Sequence, residues 1–116
     1  MENPEEKFSV IISKPAEIAF YQIVEYFFEH YSFEGAQRIA DQFRDSVKFL
    51  ETLPHRNPQE KALENANYTY RFLLFKRTNR SDIKIIYRID EDKHRVYVTD
   101  FFPTEKDLSK LVKRNK

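Results

Sequence analysis

Cysteine and tryptophan are absent from this 116-residue chain, and glycine occurs only once, at position 35. Without cysteine there is no disulfide framework, no thiol nucleophile and no thiolate metal site. The absence of cysteine is also compatible with a reduced, cytoplasmic setting. Phenylalanine and tyrosine, with 11 and 7 copies, supply the bulk that a hydrophobic core needs.

Long hydrophobic runs and a signal-like start are also missing. No apolar stretch approaches the roughly 20 residues that span a bilayer. The beginning of the chain, MENPEEKF, is acidic and polar, unlike the basic and then apolar pattern of a signal peptide. We therefore expect a soluble cytoplasmic protein with a single domain, residues 1–116, and no membrane partner. The three histidines lack metal-ligand spacing, so we expect them at the surface, with neither a metal site nor a cofactor.

Net charge is near zero, but the two parts of the chain differ in sign. Residues 1–66 contain 7 Lys and Arg against 12 Asp and Glu, whereas residues 67–116 contain 13 against 7. The basic part favours an anionic partner, or an acidic element elsewhere that complements it. A solvated sheet with a basic tail is an equally good interpretation, since exposed Lys and Arg are common.

The amino-terminal half predicts one strand and two helices. Phe8–Ser13 is a short, nearly continuous apolar run and is expected to be a well-covered strand. Ser13 can cap a helix from Pro15 to about His30, with proline in its first turn. The buried face of this helix is predicted at three- and four-residue spacing: Ile18, Ala19, Ile23, Tyr26 and Phe27. Ser32 can cap a second helix, which we expect to end before Pro54. Its core stripe is predicted to be Ala36, Ile39, Ala40, Phe43, Val47 and Leu50.

The stretch Tyr68–Phe102 predicts three consecutive antiparallel strands, because β-branched and aromatic runs alternate with polar breaks. On the second strand, one face is formed by Ile83, Ile85, Tyr87 and Ile89, and the other by Lys84, Ile86 and Arg88. On the third strand, Val96, Val98 and Asp100 are expected to oppose Arg95, Tyr97, Thr99 and Phe101. If Ile89 pairs with Val96, then Arg88 faces Tyr97 and Lys84 faces Phe101.

The predicted order of elements is β-α-α-β-β-β-α, with a final helix capped by Thr104. We expect an α+β fold in which a helical hairpin packs on a small, mainly antiparallel, twisted sheet. The hairpin should cover one face of the sheet and leave the face with Lys84, Arg88 and Tyr97 at least partly open. The first long strand and its turn carry a cluster of cations that are candidates for contact with nucleic-acid phosphates. They are Arg71, Lys76, Arg77 and Arg80. Tyr97 beside Arg88 is a candidate for stacking on a base.

Several of these segments together resemble the RelE/ParE toxin superfamily. They are the first strand followed by Lys-Pro-Ala-Glu, the two helices, Tyr70-Arg71, and Ile85-Ile-Tyr-Arg-Ile-Asp90. The likeness covers roughly residues 8–111. It implies the toxin of a bacterial type II toxin–antitoxin module, of the kind called plasmid-stabilisation proteins. The partners implied are a cognate antitoxin and the ribosome with its mRNA, in a homodimer or a toxin–antitoxin hetero-oligomer.

The resemblance implies a ribosome-dependent mRNA endoribonuclease with Lys84, Arg88 and Arg71 as catalytic residues. Lys76, Arg77, Arg80, Tyr97 and Lys106 are then expected to bind nucleic acid. Cleavage through the 2′-OH needs a base, an acid and charge stabilisation, yet the segment from Thr99 to Asp107 contains no Arg, His or Tyr. Two alternatives are therefore kept: a DNA gyrase inhibitor of the ParE kind, and a catalytically inactive homologue that binds an antitoxin.

Overall fold

The computed structural model describes residues 7–76 and 82–104. Within these ranges the elements in chain order are β1 (Ser9–Ile12), α1 (Lys14–His30), α2 (Phe33–Lys48), β2 (Arg71–Lys76), β3 (Asp82–Asp90) and β4 (Arg95–Pro103). Three short 3₁₀ turns lie between α2 and β2, at Phe49–Glu51, Pro54–Arg56 and Lys61–Leu63. The fold is α+β, as expected from the order of patterns in the sequence. The final helix predicted after Thr104 lies outside the described residues.

The four strands form one mixed sheet in the order β1-β4-β3-β2. β1 runs parallel to β4, whereas β3 pairs antiparallel with both β2 and β4. The two antiparallel pairings, β2 with β3 and β3 with β4, follow directly from the alternating sequence and its polar breaks. The parallel pairing requires a long connection between β1 and β4. Both helices, β2 and β3 lie within that connection.

Both helices begin where their capping residues predict. The Ser13 side chain accepts a hydrogen bond from the Ala16 amide at 3.2 Å, and Ser32 accepts one from the Gly35 amide at 3.1 Å. These bonds satisfy first-turn amides that have no partner inside the helix. The predicted stripe of α2 is confirmed, with five of its six members buried and Ile39 packed against them.

The predicted buried face of α1 is partly wrong. Ile18 and Tyr26 are 51% and 40% exposed, whereas Ala16 and Val24 are buried. Apolar residues surround most of α1, so helical spacing alone does not select one face. The contacts of α1 with β4 and α2 select it instead.

The predicted register between β3 and β4 is confirmed near the turn that connects them and is wrong at the far end. Ile89 pairs with Val96 and Arg88 with Tyr97, but Lys84 pairs with Phe102 and not with Phe101. A β-bulge at Thr99 causes the difference, because Ile86 pairs with Asp100 while the next residue pairs with Val98. One extra residue reverses the face of every side chain that follows it.

The reversal distributes two phenylalanines between the faces of the sheet. Phe101 joins the core under the helices, where its ring lies 5.3 Å from that of Phe43. Asp100 and Phe102 move to the second face, opposite Ile86 and Lys84. Phe102 is fully buried there among Leu63, Tyr70 and Ile86. Both faces of the sheet therefore carry a hydrophobic cluster.

Candidate functional site

The second face of the sheet is covered at one end by the segment that precedes β2. The Phe72 amide donates to the Pro58 carbonyl at 3.0 Å, and the Glu60 amide donates to the Tyr70 carbonyl at 2.8 Å. This backbone pairing holds residues 57–70, hereafter the strap, along the outer edge of β2. From there the strap places Leu63 against the small cluster around Ile86.

Lys84 lies under the strap and is engaged by it. Its Nζ atom donates to Oε1 of Glu60 at 2.8 Å and lies 4.4 Å from the centre of the Phe72 ring. The side chains of Lys84 and Glu60 are 19% and 4% exposed. The other carboxylate oxygen of Glu60 accepts a hydrogen bond from the Ala62 amide. Lys84 is thus neutralised within the fold and largely covered.

Arg71 lies on the opposite face from Lys84. It pairs with Tyr87 across the β2–β3 ladder, and Tyr87 points into the core under the helices, as predicted. The guanidinium of Arg71 donates to the Asn57 carbonyl at 2.8 Å. Arg71 therefore helps to hold the segment around Asn57 against the end of the core where Tyr87 lies.

Tyr87 is fully buried, and its hydroxyl donates to the Pro54 carbonyl while accepting from Nδ2 of Asn57. Burial raises the pKa of Tyr87 above its usual value of 10, and the Asn57 hydrogen bond and the charge of Arg71 partly oppose that rise. A neutral, hydrogen-bonded phenol is a structural group here, because its donor and acceptor capacity is already used.

Arg88 is the one member of the predicted catalytic set that lies in open surroundings. Its guanidinium carbon is 4.1 Å from the ring centre of Tyr68 and 4.5 Å from that of Tyr97. Tyr68 precedes β2 and Tyr97 lies on β4, so the two rings come from opposite sides of β3. Within the described residues, the Arg88 guanidinium has no hydrogen-bond or ion-pair partner. We call Tyr68, Arg88 and Tyr97 the cation–aromatic stack.

The stack borders an open cleft of about 510 Å³ at the β3–β4 turn. Asp90, Glu91, Asp92 and Lys93 also line this cleft. Asp90 accepts a hydrogen bond from the Lys93 amide at 3.2 Å, which closes the turn. The neighbouring Arg95 donates to the Tyr97 hydroxyl at 3.3 Å, and this hydrogen bond raises the pKa of Arg95 further above its already high value. Arg95 therefore stays cationic and fixes the edge of the Tyr97 ring.

The remaining predicted site residues do not gather at the cleft. Lys76 is exposed and pairs with Asp82, six residues along β3 from Arg88, which corresponds to about 20 Å. Arg77, Arg80 and Lys106 lie outside the described residues. The structure therefore brings Tyr97 to Arg88, as predicted, and separates Arg88 from Arg71 and Lys84.

Sequence reasoning missed Tyr68, Glu60 and the acidic turn as parts of this surface. Tyr68 stands just before β2, and its position relative to Arg88 depends on how the strap runs. Glu60 stands in a polar connection with no periodic pattern. The only sequence signal was the concentration of carboxylates at Asp90–Asp92, next to a basic strand.

The histidines differ in their surroundings. His30 is exposed, and His55 forms an ion pair with Glu91 when it is protonated. His94 is not a surface residue as predicted, because it is half-buried with its ring stacked at 3.8 Å on Phe8. In the described part of the chain, no three His, Cys, Asp or Glu side chains are grouped so that they could hold a metal ion.

No protein-family model matches this chain, and none of the curated proteins matches it. Among the described helices, neither combines the length and the hydropathy needed to cross a membrane.

Proposed function

We propose that this protein is the toxin of a bacterial type II toxin–antitoxin module and inhibits growth by ribosome-dependent cleavage of mRNA. The described elements follow the β-α-α-β-β-β order that the RelE/ParE resemblance implies. Both helices pack on one face of the sheet, and the other face is open at the end that holds Arg88. This arrangement supports the proposal at the level of the fold.

The cation–aromatic stack is the observation that carries the proposal. Surfaces that bind single-stranded nucleic acid combine cations with aromatic rings, because the rings stack and the cations contact polar groups of the strand. Arg88 contributes unengaged N–H donors, and Tyr68 keeps 54% of its surface exposed. Both are available to an RNA strand that enters the cleft.

The same geometry assigns different roles to the three cations first expected to be catalytic. Lys84 is paired with Glu60 and Arg71 with the Asn57 carbonyl, so their role is to hold the fold. Of these three cations, all within the described residues, Arg88 is the one whose donors remain available to RNA. We therefore assign to the cation–aromatic stack the binding and orienting of mRNA. The resemblance implies that the chain cleaves the mRNA while it lies in the ribosome.

The test is expression of the chain without its antitoxin, together with two variants that each remove one arginine. Arg88→Ala removes the guanidinium of the stack, whereas Arg38→Ala removes an equal charge from the exposed surface of α2. We expect the parent chain and Arg38→Ala to arrest growth and leave cuts within translated codons, and Arg88→Ala to do neither. Protein levels are compared by immunoblotting.

Arrested growth with intact transcripts contradicts the nuclease proposal. If DNA breaks and a DNA-damage response accompany such arrest, the result identifies the gyrase alternative. Equal toxicity of Arg88→Ala and Arg38→Ala shows that RNA does not use the stack.

A second candidate function is that of a non-catalytic homologue that binds an antitoxin. The observation that favours it is the engagement of Lys84 and Arg71 within the fold, which leaves one free cation of the expected three. This function predicts normal growth on expression of the chain alone. It also predicts that the product of the neighbouring gene co-purifies with the chain.

A further inference from the structure

The stack restricts how Arg88 can bind a ligand. The rings of Tyr68 and Tyr97 both lie over the guanidinium, with their centres 4.1 and 4.5 Å from its carbon atom. A base has therefore little room to stack on the guanidinium itself. The N–H groups in the guanidinium plane remain available, and they form a rigid fork suited to two adjacent acceptors. A ligand must present such an acceptor pair at its edge.

The charges around the cleft restrict the ligand further. Its lining contains the cations Arg88 and Lys93 and the carboxylates of Asp90, Glu91 and Asp92. Glu91 is the carboxylate that pairs with His55. Like charges repel, so the carboxylates of this turn disfavour a bare phosphate. The same carboxylates favour a neutral ligand that offers hydrogen-bond donors beside its acceptors.

We propose that the cleft binds an unpaired guanine base of single-stranded RNA. This inference rests on the proposed function for its RNA substrate. Guanine presents O6 and N7 as adjacent acceptors, which an arginine fork binds with two hydrogen bonds. Its N1–H and N2–H₂ donors then face the carboxylates of Asp90 and Asp92.

The other bases do not match this arrangement of donors and acceptors. Adenine places the N6–H₂ donor beside N7, so one arm of the Arg88 fork meets another donor. Uracil alternates acceptors with the N3–H donor and so has no adjacent acceptor pair. Unpaired cytosine presents O2 and N3 as such a pair, but only the N4–H₂ group lies beside them, whereas guanine offers both N1–H and N2–H₂. The Arg88 fork therefore disfavours adenine and uracil, and the second donor group facing the carboxylates favours guanine over cytosine. The exposed ring of Tyr68 does not discriminate, because every base has a face that can stack.

Binding of short RNAs tests the inference. The purified chain is titrated with dye-labelled hexamers in which one position of a uridine host carries G, A, C or U, and fluorescence anisotropy is measured. We expect the G hexamer to bind about tenfold more tightly than the others, in the range of a two-bond base contact. A hexamer with 7-deazaguanine lacks the N7 acceptor, and one with inosine lacks the N2 amine. Both are expected to lose most of the preference.

Two variants link the preference to the stack. Arg88→Lys keeps the charge but removes the fork, so it is expected to bind all hexamers alike. Arg38→Ala is expected to retain the guanine preference. The inference is overturned by equal binding of the four hexamers, by absence of binding to all of them, by a preference that survives Arg88→Lys, or by loss of the preference in millimolar inorganic phosphate.

The outcome can be separated from that of the proposed function. A chain that arrests growth and cuts mRNA but shows no guanine preference overturns the inference alone. A chain that prefers guanine but leaves growth and transcripts unchanged overturns the proposed function alone.

Discussion

At the scale of single residues, Tyr87 joins the core to the segment that crosses above it. Its ring is fully buried, and its hydroxyl bonds to Pro54 and Asn57 at the same time. Those two residues stand 33 and 30 positions earlier in the chain. One phenol therefore fixes the start of the strap relative to β3, and nearby Arg71 bonds to the same region.

Replacing Tyr87 with phenylalanine keeps the ring and removes this connection. Tyr87→Phe leaves the buried carbonyl of Pro54 without its donor, so we expect the free energy of unfolding to fall by about 2 kcal/mol. Urea denaturation followed by circular dichroism measures the change. Tyr21→Phe is the matched control, because Tyr21 is 60% exposed. Equal effects of the two substitutions contradict this account of Tyr87.

The raised pKa of Tyr87 predicts a loss of stability at alkaline pH. Below pH 10 the phenol is neutral in both the folded and the unfolded chain, so the contribution of burial is complete. As the pH rises above 10, the unfolded chain ionises first and the folded state loses stability. We expect the decline in the free energy of unfolding above pH 10 to be less steep in Tyr87→Phe. An absorbance titration should also show one of the seven tyrosines ionising after the others. Identical slopes in the parent and in Tyr87→Phe contradict the prediction.

At the scale of elements, the strap is the segment that divides the second face of the sheet. It has no regular secondary structure beyond a 3₁₀ turn at Lys61–Leu63. Backbone pairing with β2, the Leu63 cluster and the ion pair from Glu60 to Lys84 hold it in place. Its position decides that Lys84 is covered and that Tyr68 lies over Arg88.

The ion pair between Glu60 and Lys84 predicts a non-additive double mutant. Glu60→Leu alone leaves Lys84 under the strap without its partner, and we expect a loss of about 3 kcal/mol in the free energy of unfolding. The double variant Glu60→Leu with Lys84→Met replaces the pair with apolar groups, and it should recover to within about 1 kcal/mol of the parent. Urea titration of each variant measures the coupling.

An exposed ion pair provides the control for this comparison of single and double variants. The side chains of Lys14 and Glu17 are 79% and 47% exposed. Lys14→Met should therefore change the free energy of unfolding by less than about 1 kcal/mol. If Glu60→Leu costs no more than Lys14→Met, or if the double variant is the least stable, the pair does not hold the strap.

At the scale of the whole molecule, β3 and β4 form the centre to which every other element attaches. β1 pairs with the outer edge of β4, and β2 with the outer edge of β3. The helices cover one face of the sheet, and the strap covers part of the other. Ile83, Ile85, Ile86, Val96 and Val98 are all fully buried. Core strands open only with free energies close to that of global unfolding, whereas edges open more easily.

Hydrogen exchange should reproduce this order of stability. We expect the slowest amides in Ile85–Tyr87 on β3. The Ser9 and Ser13 amides donate to the carbonyls of His94 and Val98 at 3.0 Å. Because β1 lies at the edge of the sheet, these amides should exchange faster. Exchange measured by NMR at several urea concentrations separates local from global opening. Protection of β1 equal to that of β3 contradicts the ranking.

Much of this organisation follows from the sequence. Capping by Ser13 and Ser32, the stripe of α2 and the alternation along β3 are local, because each involves residues within a few positions of one another. The pairing of Arg88 with Tyr97 also follows, since a short turn connects β3 and β4. The order of strands and helices, and with it the α+β class, is therefore predictable from the chain alone.

Tertiary structure decided the rest. The buried face of α1, the bulge at Thr99 and the cover over Lys84 depend on what packs against each element, and an apolar or polar pattern does not specify its partner. The site shows this most clearly, because Glu60 meets Lys84 across 24 positions and Tyr68 meets Arg88 across 20. Contacts over such separations leave no periodic signal in the sequence, so only the folded chain distinguishes the covered Lys84 from the available Arg88.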